Sequence, residues 1–267
     1  MGTIWAFIKK DCSLALSYRL SFVLQFMGVF LALAAFYFMA QLIGGSMAGP
    51  LEAYGGDYFS FVLPGLALST YMTLGLQTFA SVIREGQMMG TLEIMLLSPT
   101  RLSMILLSSA IWSYVFDTLK VIFILVFGSI VFGVSFANAN VLATVLVLVL
   151  SVVSFAAIGV ISAAFILVLK KGDPVAWAMG GVSTLLSGVF YPVTVLPHWL
   201  QPFSSLLPLT YALNAARHAI LQGYSIYELR FDILALTGFS AVLLPLALLS
   251  FRFAVKKAKI EGSLVHY

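Results

Sequence analysis

Long uninterrupted apolar runs dominate this chain of 267 residues. The side chains are 61% hydrophobic and only 9% charged, whereas soluble domains are about one quarter charged. A water-soluble fold of this size could not bury so much apolar surface. About 20 apolar residues form a helix that crosses the hydrocarbon core of a bilayer, and the runs lack the alternation typical of barrel strands. The chain is therefore expected to be an all-α integral membrane protein.

Six apolar runs are long enough to be transmembrane helices. We place them at residues 20–43, 58–83, 103–134, 141–169, 175–195 and 231–251. Residues 3–19 mix aromatic and aliphatic side chains with charges, as in a helix that lies in the headgroup region. A cleaved secretory signal fits less well, because the first run is longer than a signal core and has no convincing cleavage site.

The basic residues indicate how the spans are oriented, since cytoplasmic segments carry an excess of lysine and arginine. Placing both termini in the cytoplasm leaves Arg217 and Arg230 outside and Lys120 within a span. The other eleven basic residues are then cytoplasmic: Lys9, Lys10, Arg19, Arg84, Arg101, Lys170, Lys171, Arg252, Lys256, Lys257 and Lys259. The same arrangement puts the Gly-rich segment 44–57, with its two acidic residues, on the outer side.

A short polar segment, residues 84–101, separates the second and third runs. It is typical of an amphipathic helix on the membrane surface, in which Thr91 caps the first turn and Pro99 ends the last. Three apolar side chains recur at spacings of three and four residues and share one face: Leu92, Met95 and Leu96. An ordinary cytoplasmic loop that happens to be helical fits the same residues.

Prolines and glycines interrupt the chain between residues 188 and 223. Tyr191 and Pro192 break the fifth run, Pro197 precedes Trp199, and Pro208 breaks the chain again before residues 209–222, which can form another helix. The pattern favours a hairpin of two short helices that dips partway into the outer leaflet. Non-helical backbone at that depth must be shielded by protein or water. A proline-rich loop that rests on the outer surface is the alternative.

Both interrupted segments resemble the permeases of ABC-2-type exporters. The first shares Gly90-Thr91-Leu92-Glu93, an apolar run and Ser98-Pro99 with the loop that follows the second span in that family. The second shares a spaced set of residues: Gly188, Tyr191-Pro192, Leu196-Pro197, Trp199-Leu200, Pro208-Leu209, Tyr211, Arg217 and Gly223. One departure is Leu207, where the family often has asparagine before the proline.

The resemblance implies one ABC-2-type transmembrane domain over residues 1–267, with an N-terminal interfacial helix, six transmembrane helices, a cytoplasmic coupling helix and an outer re-entrant hairpin between the fifth and sixth. It implies a permease subunit of an exporter that moves a drug, a lipid or a lipid-linked glycan outward across the cytoplasmic membrane. Separate ATPase subunits would supply the energy, and the permease would work as a homodimer or a closely similar heterodimer. The residues expected to couple to the ATPase are Arg84, Glu85, Gly90, Thr91, Leu92, Glu93, Met95, Leu96, Ser98, Pro99 and Arg101.

Catalysis is not expected of this chain itself. It has no phosphate-binding loop and no nucleophile elbow. With three scattered histidines and one cysteine, a metal site is not expected. We therefore expect no bound cofactor, with ATP and Mg on the partner subunit. The net charge of +4 is explained by the membrane orientation, so nucleic acid is not an expected partner.

Two charges and several aromatic residues inside the spans are candidates for a substrate pathway. Asp117 and Lys120 lie three residues apart on one helical face, and charges within a membrane by default mark a function. They can instead neutralise each other, or Lys120 can extend to the interface. Phe26, Phe30 and Tyr37 could line a pore between two permease copies, although aromatics at helical spacing usually serve packing. An ion-coupled transporter that uses Asp117 and Lys120 and a non-transporting assembly factor remain open.

Overall fold

The computed structural model describes residues 19–43, 48–91, 102–169 and 173–260. These ranges contain helices and connecting turns but no strand, and seven of their helices have ten or more residues. We number those seven α1 (Arg19–Ile43), α2 (Tyr58–Met88), α3 (Leu102–Ile130), α4 (Val141–Leu169), α5 (Pro174–Leu186), α6 (Pro208–Arg217) and α7 (Arg230–Ile260). Shorter helical turns are Ala48–Leu51, Glu52–Tyr54, Val193–Val195, Gln201–Ser204 and His218–Gln222.

Five of the described helices, α1 to α4 and α7, are long and apolar enough to cross a membrane. At about 1.5 Å per residue each exceeds the ~30 Å of a bilayer core. The prediction of an all-α membrane protein is thereby confirmed. Helix α5 has only 13 residues, too few to cross alone, so the sixth crossing stays a prediction.

The predicted boundaries need correction at four helices. Helix α5 ends at Leu186 rather than near residue 195, because Gly188 adopts a φ of +81° and the chain turns there. Helix α3 ends at Ile130, shortly before Gly133 at a φ of +77°. Helices α2 and α7 instead continue past their predicted ends, to Met88 and Ile260. Helices α1 and α4 match the predicted ranges, and the predicted interfacial helix lies almost entirely outside the described residues.

Helix α4 is the centre of the bundle and packs against both α2 and α7. Its buried face is rich in small residues, and it crosses α2 where Gly159 meets Gly75. A Cβ at position 159 would lie only 1.8 Å from the Gly75 carbonyl oxygen. Close backbone approach through small residues is a main source of helix association in membranes, so this crossing holds the two central helices together.

Contacts along the two helices show that α4 runs parallel to α2, since Gly75 meets Gly159 and, further toward both C-termini, Gln87 meets Ile166. At one end, Gln87 Nε2 donates to the carbonyl oxygen of Ile166 at 3.5 Å. At the other end, the amide of Asn140, just before α4, donates to the carbonyl oxygen of Ala219 at 2.9 Å. The first we call the basic end, because it holds the termini of α2 and α7 with their basic residues: Arg84, Arg252, Lys256, Lys257 and Lys259. The other we call the opposite end.

Candidate functional site

A cavity of about 960 Å³ lies between α1, α2 and α3. It extends from the middle of the bundle to the basic end, since its lining comes from residues 21–29, 69–85 and 109–120 of these helices. Its volume falls within the range of about 300–1,000 Å³ that is usual for small-molecule sites. It is the larger of two neighbouring cavities that share Gln77 and Ser81 of α2; the other, toward α5, holds Arg84, Asp173 and Trp177.

The wall of the larger cavity is unusually polar for the interior of a membrane protein. Ten lining residues carry a neutral hydroxyl or amide: Ser21, Gln25, Ser69, Thr70, Thr73, Gln77, Thr78, Ser81, Ser109 and Ser113. Polar groups are costly in an apolar medium unless they find hydrogen-bond partners. A hydrated or ligand-filled space is therefore a better account of this wall than contact with lipid tails.

Asp117 and Lys120 form an ion pair on the α3 side of this cavity. Lys120 Nζ lies 2.6 Å from Asp117 Oδ1 and 4.8 Å from the centroid of the Phe116 ring. Their three-residue spacing thus produces the mutual neutralisation that the sequence allowed. Both residues line the cavity, and their part in transport stays a prediction.

The aromatic residues predicted for the pathway pack α1 against its neighbours. The Phe26 ring lies 5.0 Å from the Phe123 ring, and the Phe30 ring 6.0 Å from the Phe127 ring, both edge-on. The ring of Tyr37 lies 4.8 Å from that of Phe132. None of the three predicted residues lines the described cavity.

Three aromatic residues other than Phe26, Phe30 and Tyr37 line the cavity: Phe22, Trp112 and Phe116. A signal for this wall does exist in the sequence of α2. Its polar residues recur at spacings of three and four, which places them on one helical face: Thr70, Thr73, Gln77 and Ser81. Only the structure shows that α1 and α3 complete the wall.

Arg217 forms a second cluster at the opposite end, which we call the Arg217 cluster (Arg217, Phe61 and Val189). The Arg217 side chain is 3% exposed. Its Nε donates to the carbonyl oxygen of Phe61, and its Nη2 donates to that of Val189, both at 2.9 Å. The guanidinium carbon lies 3.5 Å from the Phe61 ring centroid, a close cation–π contact. One side chain of α6 thus joins α2 to the segment that follows α5.

Gly65 makes room for this cluster. A Cβ there would lie 2.6 Å from the Val189 carbonyl oxygen and 3.0 Å from Arg217 Nη2. Pro64 precedes it and cannot donate to the preceding turn, so the start of α2 is the part of the helix most dependent on contacts from outside.

A polar chain continues from the cluster toward α7. The hydroxyl of Tyr54 donates to Asn214 Oδ1 at 2.9 Å, and Asn214 Nδ2 donates to Asp232 Oδ2 at 2.8 Å. Burial raises the pKa of Tyr54, so its hydroxyl stays protonated and able to donate at neutral pH. The His218 ring stacks between Tyr54 and Tyr224, with centroid distances of 5.0 and 4.8 Å.

The remaining residues of the predicted outer region lie in a series of short helices and turns. The hydroxyl of Tyr191 donates to the carbonyl oxygen of Leu185, and Pro192 precedes the turn Val193–Val195. The Pro197 carbonyl accepts from the Leu200 amide at 2.8 Å, while Trp199 is 69% exposed. Pro208 is the first residue of α6, which ends at Arg217 rather than at Gln222, and the Tyr211 ring lies 5.9 Å from that of Phe239.

The predicted ATPase-coupling segment is only partly described. Arg84 and Glu85 are exposed on the last turns of α2, rather than in a separate segment after the second span, and Glu85 also lines the cavity. Gly90 has a φ of +66°, a conformation that ends the helix, and Thr91 is the last described residue before the gap. The rest lies outside the described residues: Leu92, Glu93, Met95, Leu96, Ser98, Pro99 and Arg101.

Comparison with known proteins agrees with this architecture. The sequence model of the family described as "ABC-2 type transporter" matches residues 4–221, a range that includes the cavity, residues 84–101 and the Arg217 cluster. The chain is 27% identical over 186 residues to the "Inner membrane transport permease YadH" of Escherichia coli K12, covering 70% of this chain and 71% of that protein. The protein of the same name in Shigella flexneri matches equally well. The chain therefore belongs to the ABC-2 type transporter family.

Proposed function

We propose that this chain is the membrane subunit of an ATP-driven exporter, in which two permease copies move an amphipathic substrate outward with energy from separate ATPase subunits. The observation that carries the proposal is the family match over residues 4–221. Members of this family are permeases of ABC transporters, which implies a transport subunit that works with ABC ATPases rather than an enzyme. The similarity to an inner membrane transport permease supports a multi-pass protein of the cytoplasmic membrane.

The basic end is cytoplasmic in this proposal, since positive residues favour that side. Helix α5 and the residues after it then form the fifth of the six predicted crossings. The hydrogen bonds of Arg217 support this. Arg217 donates to the carbonyl oxygens of both Val189 and Phe61, and Phe61 is in the first turn of α2. The chain after α5 has thus reached the opposite end by residue 189. The segment 188–223 would be the re-entrant outer region, shielded by α2, α4 and α7.

Helix α2 is the proposed path of the mechanical signal. It runs without a break from Tyr58 to Met88, so it connects the described part of the coupling segment, residues 84–91, at the basic end with the Arg217 cluster at the opposite end. When ATP closes the partner subunits, the coupling segment moves with them. A helix transmits that displacement along its length, because its hydrogen-bonded backbone resists bending.

The test is to reconstitute the permease with its ATPase and to measure ATP hydrolysis and transport together. We expect Glu93→Lys and Leu92→Glu to reduce transport at least tenfold while hydrolysis continues, because the altered surface no longer docks productively. Glu52→Lys makes the same charge change on an exposed residue of the opposite end and should leave transport unchanged. Normal transport in both coupling variants would contradict the proposal.

The Asp117–Lys120 pair in the cavity favours one second candidate, an ion-coupled transporter. Such a protein would move substrate into vesicles under an ion gradient with no ATPase present. An assembly factor, the third class, would form a stable complex with the ATPase without substrate-stimulated hydrolysis.

A further inference from the structure

We propose that the cavity between α1, α2 and α3 binds a cationic amphiphile, with the cation on the polar wall near Asp117 and the apolar part against the aromatic and aliphatic residues. Its role as substrate rests on the proposed transport function, but the binding itself does not. The inference comes from three properties of the wall: its hydrogen-bonding capacity, its charge and its aromatic faces.

The wall offers more acceptors than donors. A serine or threonine hydroxyl has one hydrogen to donate and two lone pairs that accept. Four hydroxyls of the wall give their hydrogen to a carbonyl of their own helix at 2.9 to 3.4 Å: Ser69, Thr70, Ser81 and Ser113. At these four positions only lone pairs remain for a ligand, so this part of the wall suits a group that donates hydrogen bonds.

The net charge of the wall also favours a cationic ligand. The described residues that line the cavity include the carboxylates of Glu85 and Asp117 but only one cation, Lys120, which sums to one net negative charge. Lys120 is already within 2.6 Å of Asp117, so it has little attraction left for an anion. Opposite charges attract more strongly in a partly buried site than in water, so the net negative charge of the wall favours an ammonium group over an anion.

The aromatic residues supply a place for both parts of such a ligand. The Lys120 ammonium lies 4.8 Å from the centroid of Phe116, which shows that a cation fits over this ring. Phe22 and Trp112 line the same space, together with Val29, Leu74 and Val82. An apolar tail or ring system can therefore pack on these side chains while its ammonium group faces the acceptors.

Binding to the purified permease in lipid nanodiscs tests the inference without any ATPase. The probes are three fluorescent amphiphiles with one tail and different heads: a primary ammonium, a hydroxyl and a phosphate. We expect the ammonium compound to bind at least about tenfold more tightly than the other two, as hydrogen bonds to a charged group would provide. Equal affinities, preference for the phosphate, or no saturable binding would overturn the proposal, and would point to ordinary lipid or a second copy of the chain as the occupant.

Two charge variants should shift the affinity in opposite directions. Asp117→Asn removes a carboxylate and leaves Lys120 unpaired, so ammonium binding should weaken about tenfold. Lys120→Gln leaves Asp117 unpaired, so ammonium binding should strengthen. Lys259→Gln removes a lysine at the same end of the bundle but outside the cavity and should change nothing. Shifts in the same direction for both cavity variants would overturn the proposal.

A smaller change to the wall tests the same inference with less risk of misfolding. Ser113→Ala removes one acceptor from the wall and only a side-chain bond within its own helix, so the fold should persist while ammonium affinity falls a few-fold. Unchanged affinity in this variant and in Thr70→Val would count against an acceptor wall. If binding fails but ATP-driven transport is observed, only this inference falls. If binding holds and no ATP-driven transport is found, the proposed function falls instead.

Discussion

Arg217 shows how one residue can hold together an irregular part of a membrane protein. Two carbonyl groups near breaks in regular structure, those of Phe61 and Val189, share its guanidinium. Arginine suits this task because its planar group directs several donors at fixed angles. The sequence predicted that Arg217 belongs to the outer region, through a family resemblance. It could not predict the partners, which lie 156 and 28 residues away along the chain.

Replacing Arg217 with lysine should destabilise the protein even though the charge is kept. The ammonium of lysine lacks the fixed, spread donors of the guanidinium, so we expect at least one carbonyl to lose its bond, and a buried acceptor without a partner costs about 1–3 kcal/mol. We expect a lower apparent Tm in detergent, measured by fluorescence-detected gel filtration after heating. Arg230→Lys is the matched control, because Arg230 is exposed and contacts the rings of Tyr227 and Phe231. Equal Tm values for the two variants would contradict the role of the Arg217 cluster.

At the scale of helices, the sequence predicted α4 well and α5 poorly, for a physical reason. Residues 141–169 are bounded by Asn140 on one side and by lysines on the other, so the apolar run and the helix end at the same residues. After Leu186 the chain stays apolar while its backbone turns at Gly188 and Pro192. Hydropathy reports what contacts lipid, whereas helix ends depend on backbone conformation. For the same reason α2 and α7 extend beyond their apolar parts.

The crossing of α2 and α4 carries a prediction at this scale. Gly159→Ala should lower the apparent Tm markedly, because the added methyl would meet the Gly75 backbone, which cannot move aside as a side chain could. Overpacking of this kind costs about 1–3 kcal/mol or more. Gly238→Ala, on α7 with nothing within 4 Å of the added carbon, should be neutral or slightly stabilising. A neutral Gly159→Ala would mean that the two helices do not approach so closely.

At the scale of the whole molecule, the sequence predicted the class of protein and the family but not the cavity. The first two follow from composition and from short motifs, which are local. The cavity wall combines residues from three helices, about 100 positions apart in the case of Ser21 and Lys120, and depends on how those helices pack. Asp117 and Lys120 were found only because charge is rare inside apolar runs.

The orientation of the molecule can be measured directly, because Cys12 is its single cysteine. In a Cys12→Ser background, Tyr227→Cys places a thiol at a 74% exposed site of the opposite end, and Met89→Cys places one at an equally exposed site of the basic end. A membrane-impermeant maleimide added to intact cells should label position 227 and not position 89. Labelling of position 89 alone would invert the proposed topology and remove the ATPase from reach of residues 84–101.

The glycine contact between α2 and α4 gives the longer helix a fulcrum. Phe61 and Met88 lie at almost equal distances from Gly75, about 20 Å each at 1.5 Å per residue. When a rigid helix tilts about its midpoint, its two ends move in opposite directions. A tilt that moves the end near Met88 inward therefore moves the end near Phe61 outward by a similar amount. With one pair of spin labels at each end of the bundle, the distance within one pair should then decrease while the distance within the other increases when nucleotide binds. The tilt that closes one end of the bundle would in this way open the other end.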